Sequence, residues 1–400
     1  MKAVICGAGI AGLALAERLD TLGWDIVVLE QAHAPRAHGY MIDFFGPGYD
    51  VVEAMGALSR LHELGYHIHE MSYLNEAGRQ RASLNSAKFA KVTGCGREVS
   101  IMRPDLERVL REQLSADVDL RFATSLTHVD ASTDGVHLTL TDGSTLDADL
   151  LVGADGTHST VRTLVYGEER RYFRYLGLHA AAFIVDDPGI HAELRGRFCV
   201  TDTINREMSF CGLRDGRVVV SAVHRTPDPV LPVDAQTAVR RAYGSLGWIV
   251  PRALAQCPPA AEMHYDQVAQ IDMPQWSRGR VTLVGDACQA VSLISGQGAS
   301  VGIAGAHVLA EQLTQTDSIE TALDRYERLW RPVIAEKQRV ARQHVRWFLP
   351  ESQLRLRTRR AIMKLASLPG FDRYIYGRLI GESTAVVEKQ NATRPGSMRS

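Results

Sequence analysis

Two short apolar runs separated by an apolar pattern with helical spacing occupy the first thirty residues. The runs are Ala3 to Cys6 and Asp25 to Leu29, and the helical pattern extends from Ile10 to Leu22. Short apolar runs on either side of a helical period predict a strand, a helix and a second strand. Gly23 directly follows the helical stretch, and glycine is typical of the position at which a helix ends.

Alternating apolar and polar positions predict antiparallel strands further along the chain. Asp134-Gly135 and Asp142-Gly143 each separate two alternating runs, and Asp215-Gly216 separates EMSFCGL from VVVSAV. An Asp-Gly pair in this context is a strong signal for a β-hairpin. An amphipathic helix is predicted from Arg103 to Ser115, and a buried strand from Arg280 to Val284 precedes a largely helical C-terminal third.

Composition and charge exclude several classes of protein. The chain has 400 residues, of which 45% are apolar and 23% are charged, as in soluble globular proteins rather than disordered ones. No apolar run approaches the roughly 20 residues that cross a bilayer, and a formal net charge of -1 argues against broad electrostatic binding of nucleic acid. The cysteines have neither CxxC pairing nor metal-ligand spacing. With an N-terminus that lacks secretory features, this predicts a cytoplasmic protein with reduced thiols, no metal site and no membrane span.

The sequence GAGIAG, from Gly7 to Gly12, lies between the first predicted strand and the first predicted helix. Its first glycine permits a tight turn, Gly9 lets the backbone approach a pyrophosphate, and the last lets the helix pack closely on the strand. The helix start offers free N–H groups and a positive dipole end. Glu30 ends the second strand, where a carboxylate can accept hydrogen bonds from a ribose diol. These residues predict a dinucleotide site, but this motif alone does not separate NAD from FAD.

Two later segments separate these alternatives. Gly153 to Arg162 reads GADGTHSTVR, and Gly285 to Ser300 reads GDACQAVSLISGQGAS. In order and spacing, the three segments resemble the fingerprints of the class A FAD-dependent monooxygenases, the family of para-hydroxybenzoate hydroxylase. Arg36 and the following HGYMIDFFGPG resemble the tetracycline-inactivating branch of that family.

The resemblance implies FAD as the cofactor and a set of residues that hold it. Asp155 lies in the segment that the family uses for both FAD and the reduced nicotinamide, and Asp286 can accept hydrogen bonds from the ribityl chain. The turn at Gly296 starts a helix whose positive dipole end would face the flavin pyrimidine and stabilise the reduced ring. The complete implied cofactor-binding set is Gly7, Gly9, Ile10, Ala11, Gly12, Glu30, Gln31, Arg36, Arg103, Asp155, Arg162, Asp286, Gly296, Gly298 and Ala299.

Two positions depart from the family pattern. Gln289 stands where the family usually has histidine, and Leu293 stands where it usually has proline. The first change leaves the expected chemistry in place. The second predicts an altered, more apolar wall on the substrate side of the flavin, with Leu293 among the substrate-binding residues.

The predicted fold class is mixed α/β, with a Rossmann-like FAD-binding domain, an inserted β-sheet substrate domain and C-terminal helices. The FAD-binding domain is expected to be discontinuous because the three fingerprints are far apart in the chain. The predicted divisions are 1–70, 97–166 and 268–345 for the FAD-binding domain, 71–96 and 167–267 for the substrate-binding domain, and 346–400 for the C-terminal helices and a polar tail.

A single Rossmann fingerprint leaves no second domain for NAD(P)H, so NADPH or NADH would bind transiently as a co-substrate. The resemblance then implies an NAD(P)H-dependent FAD monooxygenase that hydroxylates an aromatic or polycyclic, polyketide-like molecule with dioxygen through a flavin hydroperoxide. Baeyer–Villiger oxygenation or dehydrogenation on the same scaffold is the alternative. A non-catalytic flavin-binding protein is a third interpretation. Nothing in the sequence predicts the oligomeric state.

Strand periodicity predicts which side chains meet the substrate. Alternation puts His179, Ala181 and Phe183 on one face of LHAAAFIV, and Met208 and Phe210 on one face of the hairpin arm. If these faces look toward the flavin, the pocket is largely apolar and suits a bulky aromatic molecule. His179 is the candidate catalytic residue because an imidazole can bind or deprotonate a phenol. A hydrogen-bonded structural histidine is the competing interpretation.

The C-terminal helices are rich in arginine, including Arg355, Arg357, Arg359 and Arg360. Such a stretch can contact nucleic acid or a membrane surface, but it is more often a solvated helical face that balances acidic residues elsewhere. We therefore predict that these arginines face the solvent.

Overall fold

The computed structural model describes residues 1–36, 39–85 and 97–366, so the predicted polar tail lies outside the described residues. In chain order the strands are β1 (Lys2–Cys6), β2 (Asp25–Leu29), β3 (Met41–Phe45), β4 (Glu70–Leu74), β5 (Gln80–Asn85), β6 (Glu98–Met102), β7 (Asp119–Arg121), β8 (Leu126–Ala131), β9 (Val136–Leu140), β10 (Thr145–Ala148), β11 (Leu150–Gly153), β12 (Phe173–Val185), β13 (Phe198–Thr201), β14 (Arg206–Gly212), β15 (Val218–Arg225), β16 (His264–Ile271), β17 (Ser277–Arg278) and β18 (Val281–Leu283). The α-helices are α1 (Ile10–Thr21), α2 (Pro47–Ala54), α3 (Leu58–Leu64), α4 (Arg103–Arg111), α5 (Thr160–Tyr166), α6 (Pro188–Leu194), α7 (Ala235–Tyr243), α8 (Val250–Ala255), α9 (Asp286–Gln289), α10 (Gly298–Thr314), α11 (Ile319–Phe348) and α12 (Gln353–Ala366).

The glycine-rich motif lies at the centre of a six-stranded sheet with the order β17-β18-β11-β1-β2-β7. Strand β1 pairs in parallel with β2 on one side and with β11 on the other. Helix α1 buries Leu13, Leu15 and Leu19 completely. The predicted strand–helix–strand unit is therefore confirmed. Its loop opens at the carboxyl end of β1, the edge at which open α/β sheets bind ligands.

The predicted hairpins are confirmed. Strands β8, β9 and β10 form an antiparallel three-stranded sheet, and Asp215-Gly216 joins β14 to β15. Gly143 and Gly216 have φ angles of 84° and 87°, in the left-handed region that glycine adopts without strain. The helix predicted from Arg103 starts there but ends at Arg111, because the residues that follow make tighter turn hydrogen bonds.

A seven-stranded sheet with the order β16-β12-β15-β14-β13-β4-β5 forms the second layer. Helices α7 and α8 cover one of its faces, where Val239 and Tyr243 are buried in a cluster with Phe183. On the other face, Cys211 packs in a cluster with Met102 of β6. Since successive side chains of a strand point to opposite faces, the two faces of this sheet have different neighbours.

An antiparallel ribbon of β3 and β6 connects the two layers. Phe44 and Ile101 are fully buried in the core that surrounds the six-stranded sheet. Met41 and Met102, which alternate with them, pack toward the seven-stranded sheet. The ribbon therefore has one face in each layer, and the space beside it lies between the layers.

The long helices α10 and α11 pack in the core that surrounds the six-stranded sheet. Helix α11 has 30 residues, with Pro332 inside it, and packs against α10. Tyr326 and Trp330 of α11 are fully buried. Within the described ranges, none of the helices combines the length and the hydrophobicity needed to span a lipid bilayer.

The prediction of a wholly solvated arginine face is wrong for Arg359. Arg355 and Arg357 are exposed, but Arg359 is only 2% exposed. Its guanidinium donates to Asp202 Oδ1 at 3.1 Å and to the carbonyl of Phe348 at 2.8 Å. The side chain is buried because α12 docks on the seven-stranded sheet through this ion pair.

Candidate functional site

The three glycines of the glycine-rich loop have different surroundings. Gly7 has a φ of 107°, and a Cβ on it would lie 2.4 Å from the carbonyl oxygen of Ala154. A Cβ on Gly12 would lie 1.9 Å from the carbonyl oxygen of Gly7, so α1 could not pack as it does. A Cβ on Gly9 would meet nothing within 4 Å. The outer two glycines are therefore needed for packing, and the middle one faces open space that a phosphate group fits.

The acidic residue at the end of β2 lies beside this loop. Glu30 accepts a hydrogen bond from Ala8 N–H and another from Ala32 N–H, both at 2.9 Å. Helix α1 begins after Gly9, which offers no side-chain cap. The loop therefore presents peptide N–H groups with a carboxylate close by, as a nucleotide site requires. The flanking Gln31 is exposed.

Arg103 and Asp286, which are far apart in sequence, come together at the start of α4 and α9. Burial raises the pKa of Asp286, and the nearby Arg103 opposes that shift. Yet the surface of Asp286 is accessible to solvent. A carboxylate that is accessible and also surrounded by protein lines a recessed groove. Arg103 bridges to Glu107 at 3.3 Å, and Arg36 lies close enough to influence the pKa of Glu107.

The loop between β18 and α10 contains glycines where the chain packs closely against α1 or adopts a positive φ. Gly285 has a φ of 63°, and a Cβ on it would lie 2.6 Å from Ala11 Cβ in α1. Gly296 is left-handed, with a φ of 62°. Helix α10 then begins at Gly298, followed by Ala299, and its N-cap residue Gln297 makes no side-chain capping bond. The start of this 17-residue helix therefore has uncapped N–H groups directed along its axis.

Arg162 holds backbone segments next to the predicted cofactor site. Asp155 accepts hydrogen bonds from Ser159 Oγ at 2.5 Å and from Val161 N–H at 3.0 Å, and not from Arg162. Arg162 is fully buried and donates to the carbonyl of Ala287 at 2.9 Å. Arg162 stays a predicted cofactor-site residue, and because its side chain is inaccessible it would act through the backbone that it holds. It joins the GADG segment to α9 and so positions the residues after Asp286.

The two departures from the family pattern have different surroundings. Gln289 is 1% exposed, accepts a hydrogen bond from Trp330 Nε1 at 3.2 Å and donates to Tyr326 Oη. The amide therefore clamps α9 against α11, which accounts for a polar residue in this core. Leu293 lies in a short turn before Gly296 and is 45% exposed.

The expected orientation of the substrate sheet is wrong. Ala181, Phe183 and Phe210 all lie in the cluster with the α7 and α8 side chains, away from the six-stranded sheet. The register pairs Phe183 with Val220 and, on the opposite face, Ala182 with Ser221. Phe183 and Phe210 therefore belong to the sheet–helix core, and the alternate side chains, among them Ala182 and Ile184, face the first layer. Both faces carry small and large side chains, so alternation along the strands gave no signal for the correct face.

His179 lies on the same helix-covered face and is only 3% exposed. Its Nδ1 is 3.1 Å from Tyr265 Oη, and its ring meets that of His224 edge-on at 5.9 Å. Burial lowers the pKa of His179, and burial lowers that of His224 to about 4. These contacts support the competing interpretation of His179 as a hydrogen-bonded structural histidine, and its catalytic role stays a prediction.

Sequence reasoning missed a second set of polar residues that lies between the layers. The ring of Tyr40 is 5.3 Å from that of His264, whose pKa is lowered by burial. Asp43 accepts a hydrogen bond from Ser100 Oγ at 2.5 Å, and its pKa is raised by burial although its surface is accessible. Asp43 and Asp286 thus share the property of lining a recess. Local sequence patterns carry no such signal, because β3 and β16 meet only in the folded chain.

His158 bridges the two layers. Its Nδ1 lies 3.0 Å from Glu169 and its Nε2 lies 3.3 Å from Asp266 of β16. The hydrogen bond with Asp266, followed by that with Glu169, raises the pKa of His158 to about 9. The imidazole is therefore charged at neutral pH and ties the GADG segment to the seven-stranded sheet.

Cysteine and metal chemistry find no support in the described residues. Across residues 1–36, 39–85 and 97–366, no group of three His, Cys, Asp or Glu side chains is placed to hold a metal ion. The cysteines in these ranges are buried and unpaired, and burial raises the pKa of Cys288 well above its ordinary value. A buried neutral thiol is unreactive, so Cys288 packs rather than reacts.

A family model described as an FAD-binding domain matches residues 1–341. The chain belongs to this family. The family match and the relatives show that it is a class A FAD-dependent monooxygenase with FAD as its cofactor. The open space at Gly9, the groove at Asp286 and the uncapped start of α10 fit that cofactor.

Several relatives cover most of this FAD-dependent monooxygenase. It is 32% identical over 320 residues to an uncharacterized protein of Mycobacterium tuberculosis H37Rv, covering 78% of this chain and 84% of the relative. It is 30% identical over 366 residues to an FAD-dependent monooxygenase of Sarocladium schorii, covering 85% and 86%. The crystal structure of tetracycline destructase Tet(55) is similar, with a TM-score of 0.79 and 24% identity, over 95% of this chain and 97% of that one. The crystal structure of Klebsiella pneumoniae HpxO with FAD and uric acid has a TM-score of 0.78 and 24% identity, over 96% of this chain and 97% of that one. The two solved structures establish the shared fold.

Proposed function

We propose that this flavoprotein uses NADPH or NADH and dioxygen to hydroxylate an aromatic or polycyclic small molecule. The observation that carries the proposal is the recess between the two layers, where Asp286 and Asp43 are accessible yet surrounded by protein. The cofactor ring and a second flat molecule above it would lie in this recess. The named relatives include a tetracycline destructase and a protein crystallised with uric acid, which are consistent with ring-shaped substrates.

The residues that would hold FAD divide by the part of the cofactor they meet. The pyrophosphate fits the open side of Gly9, and Glu30 would accept hydrogen bonds from the adenosine ribose. Asp286 would accept from the ribityl hydroxyls, with Arg103 beside it. The uncapped N–H groups from Gly298 onward would meet the pyrimidine edge.

When bound, FAD supplies the acceptance of hydride from the nicotinamide and the activation of dioxygen for transfer of one oxygen atom. The protein's part is to orient the substrate and to keep bulk water out. The face of the seven-stranded sheet that looks toward Met41 and Met102 carries the small side chains Ala182 and Ser221 between larger apolar ones such as Ile184. Small side chains leave space for a flat ring, and the polar groups at this boundary are Asp43 and His264.

The test uses the purified holoprotein. Polycyclic phenols are screened for ligand-stimulated NADPH oxidation, and products are examined by mass spectrometry under ¹⁸O₂. One labelled hydroxyl oxygen supports the proposal. Label in a ring ester identifies Baeyer–Villiger oxygenation, and an oxidised product without label identifies dehydrogenation. If no ligand stimulates NADPH oxidation, the proposal fails.

A paired substitution tests the location of the substrate. Ser221→Leu adds bulk to the face turned toward the first layer, and we expect loss of substrate stimulation with full FAD content. Thr145→Leu makes the same kind of change at an exposed position of β10 and should behave as wild type. Equal stimulation in the two variants would contradict the proposed position of the substrate.

A further inference from the structure

A lysine in the middle of α11 reaches the start of α10. Lys337 Nζ donates a hydrogen bond to Gln297 Oε1 at 2.5 Å, although the two residues are 40 positions apart. Gln297 is the N-cap residue of α10, directly before Gly298. Both side chains are partly buried. The contact therefore connects the middle of α11 to the turn that would lie against the flavin pyrimidine.

The next residue of α11 holds the other end of the same loop. Gln338 is 6% exposed, and its Nε2 donates to the carbonyl of Ala290 at 3.0 Å and to that of Ile271 at 2.8 Å. Gln270, fully buried, donates to the carbonyl of Val291 at 3.1 Å. Neutral amides thus suffice to fix the chain near residue 290, whereas a cation is used at residue 297.

The choice of a cation has an electrostatic consequence. The start of α10 already carries the positive end of a 17-residue helix dipole, which favours an anion and disfavours a nearby lysine. Adding Lys337 makes the local potential more positive. That addition is useful where a negative charge has to be stabilised at the same place.

We infer that Lys337 is a positioning residue that orients Gln297 and stabilises the negative charge gained by the flavin on reduction. Hydride transfer brings two electrons and one proton, so the ring system gains one negative charge as the nicotinamide becomes oxidised. That charge would reside at the pyrimidine side, which the proposed placement puts next to the N–H groups at the start of α10. The inference rests on the proposed placement of the flavin, but it needs neither the proposed substrate nor its hydroxylation.

The experiment compares the flavin midpoint potential of FAD-loaded wild type, Lys337→Gln, Lys337→Arg and Arg339→Gln. Arg339 is an exposed residue two positions further along α11 that pairs with Glu336, so its variant is the matched charge control. We expect Lys337→Gln to have a lower potential and about two- to fivefold slower anaerobic reduction by NADPH, the factor typical of a charge acting at a helix end. Lys337→Arg should keep most of the wild-type potential, and Arg339→Gln should match wild type.

A second variant separates charge placement from stability. Gln297→Ala keeps the lysine but removes its acceptor, and we expect an intermediate fall in potential. Potentials measured by dye reduction do not depend on nicotinamide binding or on a substrate, so failure of the hydroxylation proposal leaves this readout intact. If Lys337→Gln has the same potential as Arg339→Gln, or if it only weakens FAD binding without changing the potential, the inference is overturned.

Discussion

Replacement of Arg359 by alanine should release α12 from the seven-stranded sheet. The Arg359 guanidinium lies between Asp202 Oδ1, at 3.1 Å, and Glu207 Oε2, at 3.5 Å, and its carbon atom Cζ is 5.0 Å from the centre of the Tyr73 ring. The Arg359 and Asp202 side chains are only 3% and 1% exposed. Alanine therefore leaves a buried carboxylate without its main partner.

The magnitude follows from the pair that is broken. Removing one partner of a buried ion pair costs about 3–5 kcal/mol. Asp202 keeps a hydrogen bond from Arg360 Nε at 2.5 Å, so we expect the lower end, about 3 kcal/mol. A change of about 1.4 kcal/mol is tenfold in an equilibrium constant, so undocking of α12 should become roughly a hundredfold more frequent. Few other α12 side chains are buried, Leu356 and Met363 among them, so the loss should appear as local opening.

The assay is hydrogen exchange of the α12 amides, with limited proteolysis between residues 349 and 366 as a second measure. Arg357→Ala removes an exposed arginine from the same helix and is the matched control. Faster exchange in α12 of Arg359→Ala, with unchanged exchange in β1 and β11, is the expected result. Equal α12 protection in the two variants would refute the role given to the buried ion pair.

Three further predictions test the loop, the core and the pH response. Gly9→Ala should keep the melting temperature of the FAD-free protein but weaken FAD binding, whereas Gly12→Ala should lower both, as measured by thermal melts and FAD titration, because only the second Cβ meets backbone at 1.9 Å. Gln289→Leu should lower the free energy of unfolding in urea by about 1–3 kcal/mol, because Trp330 Nε1 loses its acceptor. An unchanged urea midpoint would contradict the stabilising role given to Gln289. Burial raises the pKa of Glu207 to about 7, above its unfolded value, so its contribution to docking is full below about pH 4.5 and is lost as the pH rises through 7. Proteolysis of α12 should therefore increase over that window in wild type and stay flat in Glu207→Gln.

Local sequence patterns were sufficient for the glycine-rich loop and the hairpins. The requirement for glycine at positions 7 and 12 arises from backbone contacts within one strand–loop–helix unit, so neighbours in sequence reveal it. The Asp-Gly hairpins are equally local. The convergence of Arg103 with Asp286 came from resemblance to a family, since no local pattern relates residues so far apart.

The substrate side needed the tertiary structure. Alternation along β12 shows that Ala181 and Ala182 lie on opposite faces, but it does not show which face α7 and α8 cover. The same holds for Arg162 and Arg359, whose charged side chains are typical of surfaces until distant segments supply Ala287 and Asp202 as partners. From the sequence alone come the family, the cofactor and the strand–helix order, because short-range backbone geometry dictates them. Only the packing of one layer against another decides which side chains face the recess and which are buried elsewhere, because burial depends on neighbours that are remote in the chain.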